Sequence, residues 1–458
     1  MTLVDESSDG REGGGSGLPL LPDAPPRDIH HDPWLTPASP ALKALAALLF
    51  DDIENHCHRP ARQRGDAKRR RRAMVENLVA NFVLLEHRSA SRLAVSAKNE
   101  KATRYSRKGF RTATLMTVIG DLEARHWVSC TPGVANKLRT LLEPSPQLCD
   151  LVQTARATVA DLERLPGAET IILKADAGRS RSKPLIHYAD TAETRTMRAA
   201  METINATLSA ADIRLAGRAM PPPHLVRIFQ VASLAAPHQF GSYGRLYRGF
   251  WQTLPRGQRH LLTINGEALA DLDFKAMFVQ LAYAQQGAPP PQGDPYAVPG
   301  LEDHREAVKK AVSALFSRST IIRRLSPELR ELLPDGWTGK RLMGAISAHH
   351  PAIATLLGAD IASCLTRTES DIMVDVLLRL ASQGVAALPI HDGLCVGVSH
   401  KVAAIRAMQD VSALHVGRVL PVEEKLSDPA SLTAPLLEGH VWLNCPLMPF
   451  QSPPVSSW

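Results

Sequence analysis

The sequence predicts an α+β protein, mostly helical, in which helical regions accompany a small antiparallel sheet. Three observations carry this reading. Ala and Leu dominate while aromatic residues make up only 5% of the chain, a balance that favours helices over sheet sandwiches. Apolar residues recur at helical spacing, as at Met74, Leu78, Phe82 and Leu85. Two short β-prone stretches each carry a carboxylate: Leu269-Ala270-Asp271-Leu272-Asp273-Phe274, and a hairpin-like run from Val385 to Val398 folded about His391-Asp392-Gly393. Asp-Gly between apolar β-prone stretches signals a tight hairpin, because Gly tolerates positive φ.

At 458 residues the chain exceeds one ordinary core. Residues 1–40 are Gly/Ser/Pro-rich and read as a disordered tail. Residues 41–135 read as a basic, helical, winged-helix-like nucleic-acid-binding domain, with helical patterning from Pro40 to about Cys57 and again from Met74 to Leu85. Residues 136–235 read as a helical linker. It contains a Gly/Arg/Ser loop (Asp176 to Ser182) and a capping box, Thr191 to Thr194, that opens a helix through Met201 and Leu208. Residues 236–427 hold both carboxylate stretches, and 428–458 form a Pro-rich tail.

Composition argues against several classes. No apolar run approaches the ~20 residues a membrane span requires, and Met1 to Gly17 lacks the basic-plus-apolar layout of a signal peptide. The expectation is a soluble, cytoplasmic protein with no membrane partner. Six cysteines without CxxC spacing argue against structural disulfides and a thiolate zinc site. His56-Cys57-His58 has no second ligand pair nearby and reads as a helix-end cluster.

The net charge of +7 is unevenly spread. From Arg59 to Arg125 there are 17 Lys/Arg against 6 Asp/Glu, a balance of +11 that leaves −4 for the rest of the chain. A concentrated basic block is an electrostatic footprint for nucleic-acid phosphates, since each neutralised phosphate releases condensed counterions. Within it, Arg104-Tyr105-Ser106-Arg107-Lys108 and Arg111 precede a helix, Ala113 to Leu122, and Trp127 to Gly133 reads as a strand entering a turn. That order suits a helix in the DNA major groove with Arg104, Arg107, Lys108 and Arg111 on phosphates. A solvated basic face on an ordinary helical domain fits the same residues.

Four segments then follow one another: Gly244-Arg245-Leu246 with Gln252; the strand ending Asp273-Phe274-Lys275, which runs into a helix bearing Phe278; Arg305-Glu306-Ala307-Val308-Lys309; and the His391-Asp392 hairpin. This order resembles the family A, or Pol I-like, DNA polymerases over roughly residues 240–425, and over none of the N-terminal third. The resemblance implies a polymerase palm-type antiparallel sheet with reduced fingers over 236–427 and a thumb-like role for 136–235. It implies template-directed attack of a primer 3′-hydroxyl on a dNTP α-phosphate, with two Mg²⁺ (or Mn²⁺) ions as cofactors. Asp273 and Asp392 would be the catalytic metal ligands, since Mg²⁺ prefers a few hard carboxylates plus substrate phosphates. Arg305 and Lys309, i,i+4 partners on one helix face, would grip the triphosphate. Arg245, Gln252 and His391 would contact the DNA primer-template. Phe278 either gates against a 2′-hydroxyl or fills an amphipathic helix core; Asp273 can equally cap the following helix, and Arg305 with Lys309 can form a solvated face.

The chain departs from the family in several places. Lys275 replaces a small Ser on Asp273's strand face, where a cation neutralises the carboxylate, displaces a metal or binds nucleotide phosphate. Ser317, with Phe316 beside it, stands where a fingers aromatic is expected; Gly393 replaces Glu; and Asp271 is an alternative ligand. A DNA polymerase of plasmid, phage or mobile-element replication is the first expectation. A non-catalytic DNA-binding replication factor with a degenerate palm and an RNA-synthesising, primase-like enzyme are the alternatives.

Overall fold

Burial divides the chain between two hydrophobic cores, one drawn from Ile29 to Leu162 and the other from Ile171 to Leu420. The division falls between 162 and 171 rather than at 135 or 235, because the expected linker contributes Ile171, Met197, Met201 and Phe229 to the same core as both carboxylate stretches. The computed structural model describes residues 28–425 except 57–64, 89, 98–102, 134–138, 177–182 and 255. The tail before residue 28, Cys57 and His58, most of the Gly/Arg/Ser loop and the Pro-rich tail lie outside the described residues.

The first body runs β1 (Asp28–His30), β2 (Leu35–Pro37), α1 (Pro40–His56), α2 (Gly65–His87), β3 (Arg92–Val95), α3 (Thr112–Ala124), β4 (Val128–Thr131), β5 (Thr140–Pro144), α4 (Pro146–Thr154) and β6 (Leu162–Arg164). A four-stranded sheet takes the order β1-β3-β5-β4, and β2 pairs with β6. Residues 28–37 are therefore ordered strands rather than tail. Two fully buried amides explain this: Asn77 Nδ2 donates to the carbonyls of Asp32 and Leu35 at 2.9 and 2.8 Å, and Asn81 Oδ1 accepts from Asp32 N–H at 2.8 Å. Buried polar groups persist only when hydrogen-bonded, so α2 fixes the β1–β2 connection. The run Lys68 to Arg72 is not a uniform basic face either. Arg71 is 5% exposed and bonds both oxygens of Glu54 at 2.8 Å, while Arg69 pairs with Asp66 and Arg72 with Glu76.

The second body opens with β7 (Ile171–Ala175), α5 (Ala192–Ala210), β8 (Ile213–Leu215), β9 (Arg218–Ala219), β10 (Val226–Val231), β11 (Tyr243–Tyr247), β12 (Leu262–Ile264) and β13 (Glu267–Phe274). There follow α6 (Met277–Gln285), α7 (Arg305–Phe316), α8 (Pro327–Leu332), α9 (Gly339–His349), α10 (Ala362–Ala381), β14 (Ala387–Ile390), β15 (Gly393–Gly397), α11 (Lys401–Val416) and β16 (Val422–Glu424). α5 starts as its sequence demands: Thr191 Oγ1 accepts from Thr194 N–H at 3.1 Å and Thr194 Oγ1 accepts from Thr191 N–H at 2.8 Å. A small sheet has the order β11-β10-β7; the main antiparallel sheet has the order β14-β15-β13-β12-β8-β9, with β16 also on β13. α10 packs against β11, α5, α6 and α11, so one helix joins the small sheet to the rest. The result is the α+β, mainly helical architecture expected. Among the described residues no helix is long and apolar enough to cross a membrane.

Candidate active site

The two carboxylate stretches lie side by side. β13 pairs antiparallel with β15 so that Asp273 stands opposite Gly393, and the Phe274 N–H donates to the Asp392 carbonyl at 3.2 Å. β16 pairs on β13 as well, placing Glu423 opposite Asp273. The hairpin turn differs from its sequence expectation. His391 and Asp392 form the two-residue connection, with His391 at φ +56°, while Gly393 is already in β15. Gly393 serves close approach instead of positive φ: an added Cβ would fall 2.6 Å from the Leu272 carbonyl oxygen and 2.7 Å from Asp273 Oδ1. No side chain, including the Glu of the family pattern, fits there without displacing Asp273.

Asp273 is 8% exposed. Its Oδ1 is buried without a hydrogen-bond partner among the described residues, and its Oδ2 forms an ion pair with Lys425. The cation on Asp273 is thus Lys425 and not Lys275. Lys275 sits past the strand end, where its N–H donates to the Pro421 carbonyl and its charge acts on Asp294. Burial raises the pKa of Asp392; its own backbone N–H, Arg245 and Lys309 pull the other way. Asp271 is held by Arg259 at 3.1 Å, outside this pair.

Arg245 reaches the site from β11. Its Nε and Nη2 donate to the two oxygens of Glu369 at 2.6 and 2.7 Å, and Glu369, on α10, is 1% exposed. The guanidinium also lies 5.7 Å from the ring centroid of Phe278, which is half-buried and packs against the core of the second body. Gly244 makes this possible: it has φ +93°, and an added Cβ would meet Phe229 Cε1 at 2.6 Å. Arg227, 2% exposed, locks the loop further by donating to the Gly244 carbonyl at 2.9 Å and to Asp371 at 2.7 Å. Glu369 was not singled out by the sequence. One signal was available: it lies four residues after Leu365 and three before Ile372, an acid on a buried helical stripe.

Gln252 does not face outward. Its Oε1 accepts from Gly249 N–H at 3.1 Å, and its Nε2 donates to the carbonyls of Leu246 and Pro389 at 2.9 and 3.2 Å. With Trp251 Nε1 on the same Pro389 carbonyl at 3.0 Å, it staples the Arg245 loop to β14. His391 packs edge-on against Tyr247, with centroids 6.5 Å apart. Surrounding protein, then Arg245 and Arg259, lower its pKa to about 4, so its imidazole is neutral.

At the start of α7, Arg305 pairs with Asp294 at 2.5 Å and lies 5.1 Å from the Tyr296 ring centroid. Lys309, one turn on, is exposed and acts electrostatically on Asp392. Phe316 is fully buried in the core, so no aromatic from that register lies beside Asp273 and Asp392.

The four basic residues of the first body separate into two kinds. Arg104 pairs with Glu169 at 2.9 Å and with Asp190 at 2.5 Å, and stacks 3.7 Å from the Tyr188 ring centroid. Arg107 donates to the Pro33 carbonyl at 2.6 Å and lies over Phe110. Both hold the protein together. Lys108 and Arg111 are exposed and flank the start of α3, next to a surface cavity of about 370 Å³ lined by Arg69, Arg70, Arg107 and Lys108.

Among the described residues no three His, Cys, Asp or Glu side chains gather into a metal-binding group. A divalent-cation site of two carboxylates is nevertheless consistent with the chemistry, because Mg²⁺ retains waters and takes only one or two protein carboxylates beside substrate phosphates. Asp273 Oδ1 is buried with no hydrogen-bond partner among the described residues, and burial raises the pKa of Asp392, so each is a carboxylate oxygen that a cation would stabilise. The residues present fit the group.

No family model and no curated protein matches the chain. Among solved structures it is similar to the POL domain of Pol1 from M. smegmatis, determined in complex with DNA primer-template and dNTP. Identity is 10% and the TM-score 0.29, over 85% of this chain and 66%, just under two thirds, of that one. A likeness at that score carries no functional weight by itself; the geometry has to carry it.

Proposed function

We propose that the chain is a palm-type nucleotidyltransferase that extends a DNA primer on a template with deoxynucleoside triphosphates. The observation that carries this is the juxtaposition of Asp273, on β13, and Asp392, in the turn that opens the adjacent strand β15, with an oxygen on Asp273 that is buried and without a hydrogen-bond partner among the described residues. Asp273 and Asp392 would hold divalent cations, which lower the pKa of the attacking hydroxyl and neutralise charge on the phosphates. The primer 3′-oxygen would bond to the α-phosphorus, and the bond to the bridging oxygen would break to release pyrophosphate. Lys309 and Arg305 would bind the β- and γ-phosphates, Arg305 exchanging Asp294 for them. Arg245, positioned by Glu369, would sit beside the primer end, and Phe278 beneath the incoming sugar. The α3 helix with the β4–β5 pair would act as a winged-helix-like module, with Lys108 and Arg111 on duplex phosphates. Replication of a plasmid, phage or other mobile element suits this layout.

One observation favours a second reading, a DNA-binding replication factor without synthesis: the Lys425 ammonium already occupies Asp273 Oδ2. Primer extension with Mg²⁺ or Mn²⁺ separates the two. Extension that disappears in Asp392→Ala supports the polymerase; DNA binding without any extension supports the second reading, and unchanged extension in Asp392→Ala sinks the site assignment.

A further inference from the structure

We infer that the surface cavity between α2 and the turn at 107–110 is a binding site for a nucleoside 5′-phosphate, taken either as a free nucleotide or as the 5′-phosphorylated end of a nucleic-acid strand. The site belongs to the first body, whose hydrophobic core is separate from the one beneath β13. The inference holds whether or not the Asp273–Asp392 pair is catalytic.

Local structure builds the two walls. Asp66, Arg69, Arg70, Ala73 and Met74 recur at i, i+3, i+4, i+7 and i+8, so they form one stripe along the start of α2. The other wall is a tight turn. Phe110 N–H donates to the Arg107 carbonyl at 3.1 Å, and Gly109 takes φ +79°, the positive φ that the third residue of a type II turn requires. Tertiary contacts fix this turn before any ligand arrives. Arg107 donates to the Pro33 carbonyl at 2.6 Å, and Phe110 stacks on His31 with ring centroids 5.8 Å apart. A preformed wall spares a ligand the cost of ordering it.

The lining has two chemical characters. Four cations, Arg69, Arg70, Arg107 and Lys108, stand against one carboxylate, Asp66, which already pairs with Arg69. The next arginines of the run turn elsewhere, Arg71 to Glu54 and Arg72 to Glu76. Arg70 and Lys108 are exposed and have no ion pair among the described residues. The rest of the lining is apolar: half-buried Ala73, fully buried Met74, and Phe110 packed on the first core. Phosphate oxygens match the guanidinium and ammonium donors, and an Arg can grip two of them at once. Bare phosphate would leave the apolar lining wet, whereas the base and sugar of a nucleotide would cover it. The cavity holds about 370 Å³, at the lower end of the roughly 300–1,000 Å³ of sites that take small organic ligands, which leaves room for one nucleotide.

The test is fluorescence anisotropy of mant-labelled ADP with the full chain in EDTA. Arg70→Gln and Lys108→Gln should each weaken binding about tenfold, the loss of one charge-assisted contact. Both side chains are exposed, so neither variant asks the core to repack. Unlabelled ADP should compete about tenfold better than pyrophosphate, because the nucleoside buries apolar surface. Arg305→Ala removes a phosphate contact proposed for the carboxylate site and should leave mant-ADP affinity unchanged, so failure of the polymerase reading and failure of this site give different results. A 5′-phosphorylated oligo(dT) that competes better than its 5′-hydroxyl form identifies strand ends as the source, and equally weak competition by both forms identifies free nucleotide; either outcome supports the site. Four results overturn it: no binding of mant-ADP to the unsubstituted chain, pyrophosphate competing as well as ADP, a 5′-hydroxyl duplex displacing mant-ADP as well as ADP does, or affinity lost in Arg305→Ala and kept in Arg70→Gln.

Discussion

Arg245 and Glu369 meet through two hydrogen bonds of 2.6 and 2.7 Å, and the acid of the pair is sealed from solvent inside α10. Breaking a buried pair from one side leaves an uncompensated charge, at a cost of about 3–5 kcal/mol. At pH 8.5, where Glu369 is ionised, Arg245→Ala should therefore destabilise the protein by roughly that amount, and Glu369→Gln by clearly less, because Gln retains hydrogen bonding. Urea unfolding of both variants checks this; equal losses would show that the pair is not the dominant contact.

The same pair makes a pH prediction. Burial pushes the Glu369 carboxyl from 4.5 up to about 7, against Arg245 and with a smaller contribution from Asp392. The folded state then binds a proton that the unfolded state has released. Stability from this group is present below about 4.5 and is lost as pH rises through about 7. Glu369→Gln should flatten the fall in stability across that window, measured by unfolding at pH 5, 6 and 7.5.

Gly393→Ala is a test of the strand contact. Its Cβ would press on the Leu272 carbonyl and Asp273 Oδ1, and backbone cannot yield as a side-chain tip can. A loss of about 1–3 kcal/mol is expected, as for other overpacked sites. If Asp273 holds a cation as proposed, primer extension should fall further than stability explains, because Asp273 Oδ1 is the atom displaced.

Lys425 pairs with the other oxygen of Asp273, Oδ2. Removing one unit charge at contact distance is worth about 1 kcal/mol even in a water-like dielectric. Lys425→Met should therefore tighten Mn²⁺ binding about fivefold or more, read by electron paramagnetic resonance titration. Weaker Mn²⁺ binding would instead make Lys425 a structural support of Asp273.

Arg104→Ala should lower the unfolding midpoint, since Arg104 ties the first body to Glu169, Asp190 and Tyr188 of the second. It should leave the salt slope of duplex binding unchanged. Lys108→Gln with Arg111→Gln should do the reverse, lowering the slope by about 1.8 with little change in stability.

What the sequence made legible was local. A carboxylate strand and a two-residue hairpin are written in contiguous residues, so Asp273 and Asp392 could be named, and helical spacing placed α1, α2, α3 and α5. What it concealed was pairing at long range. Arg104 is basic in sequence, but its partners lie 65 and 86 residues away. Gln252 looks like an outward-facing polar residue until Pro389 is folded beside it. Lys425, 152 residues beyond Asp273, arrives directly after β16, a strand of three residues too short to carry a pattern. Tertiary electrostatics chose among residues whose local context was uninformative.

Ala276 sits at φ +51° between the end of β13 and the start of α6, and turns the chain there without glycine. An offset of five positions separates a carboxylate on a sheet from an aromatic ring on a helix, and this corner sets the span between them. The offset from Asp273 to Phe278 is consequently a backbone ruler. Substituting Phe278 changes what is measured at the far mark, whereas inserting or deleting one residue at 275–276 moves the mark itself. Sequence change in this segment should accordingly be tolerated as replacement and rejected as length variation.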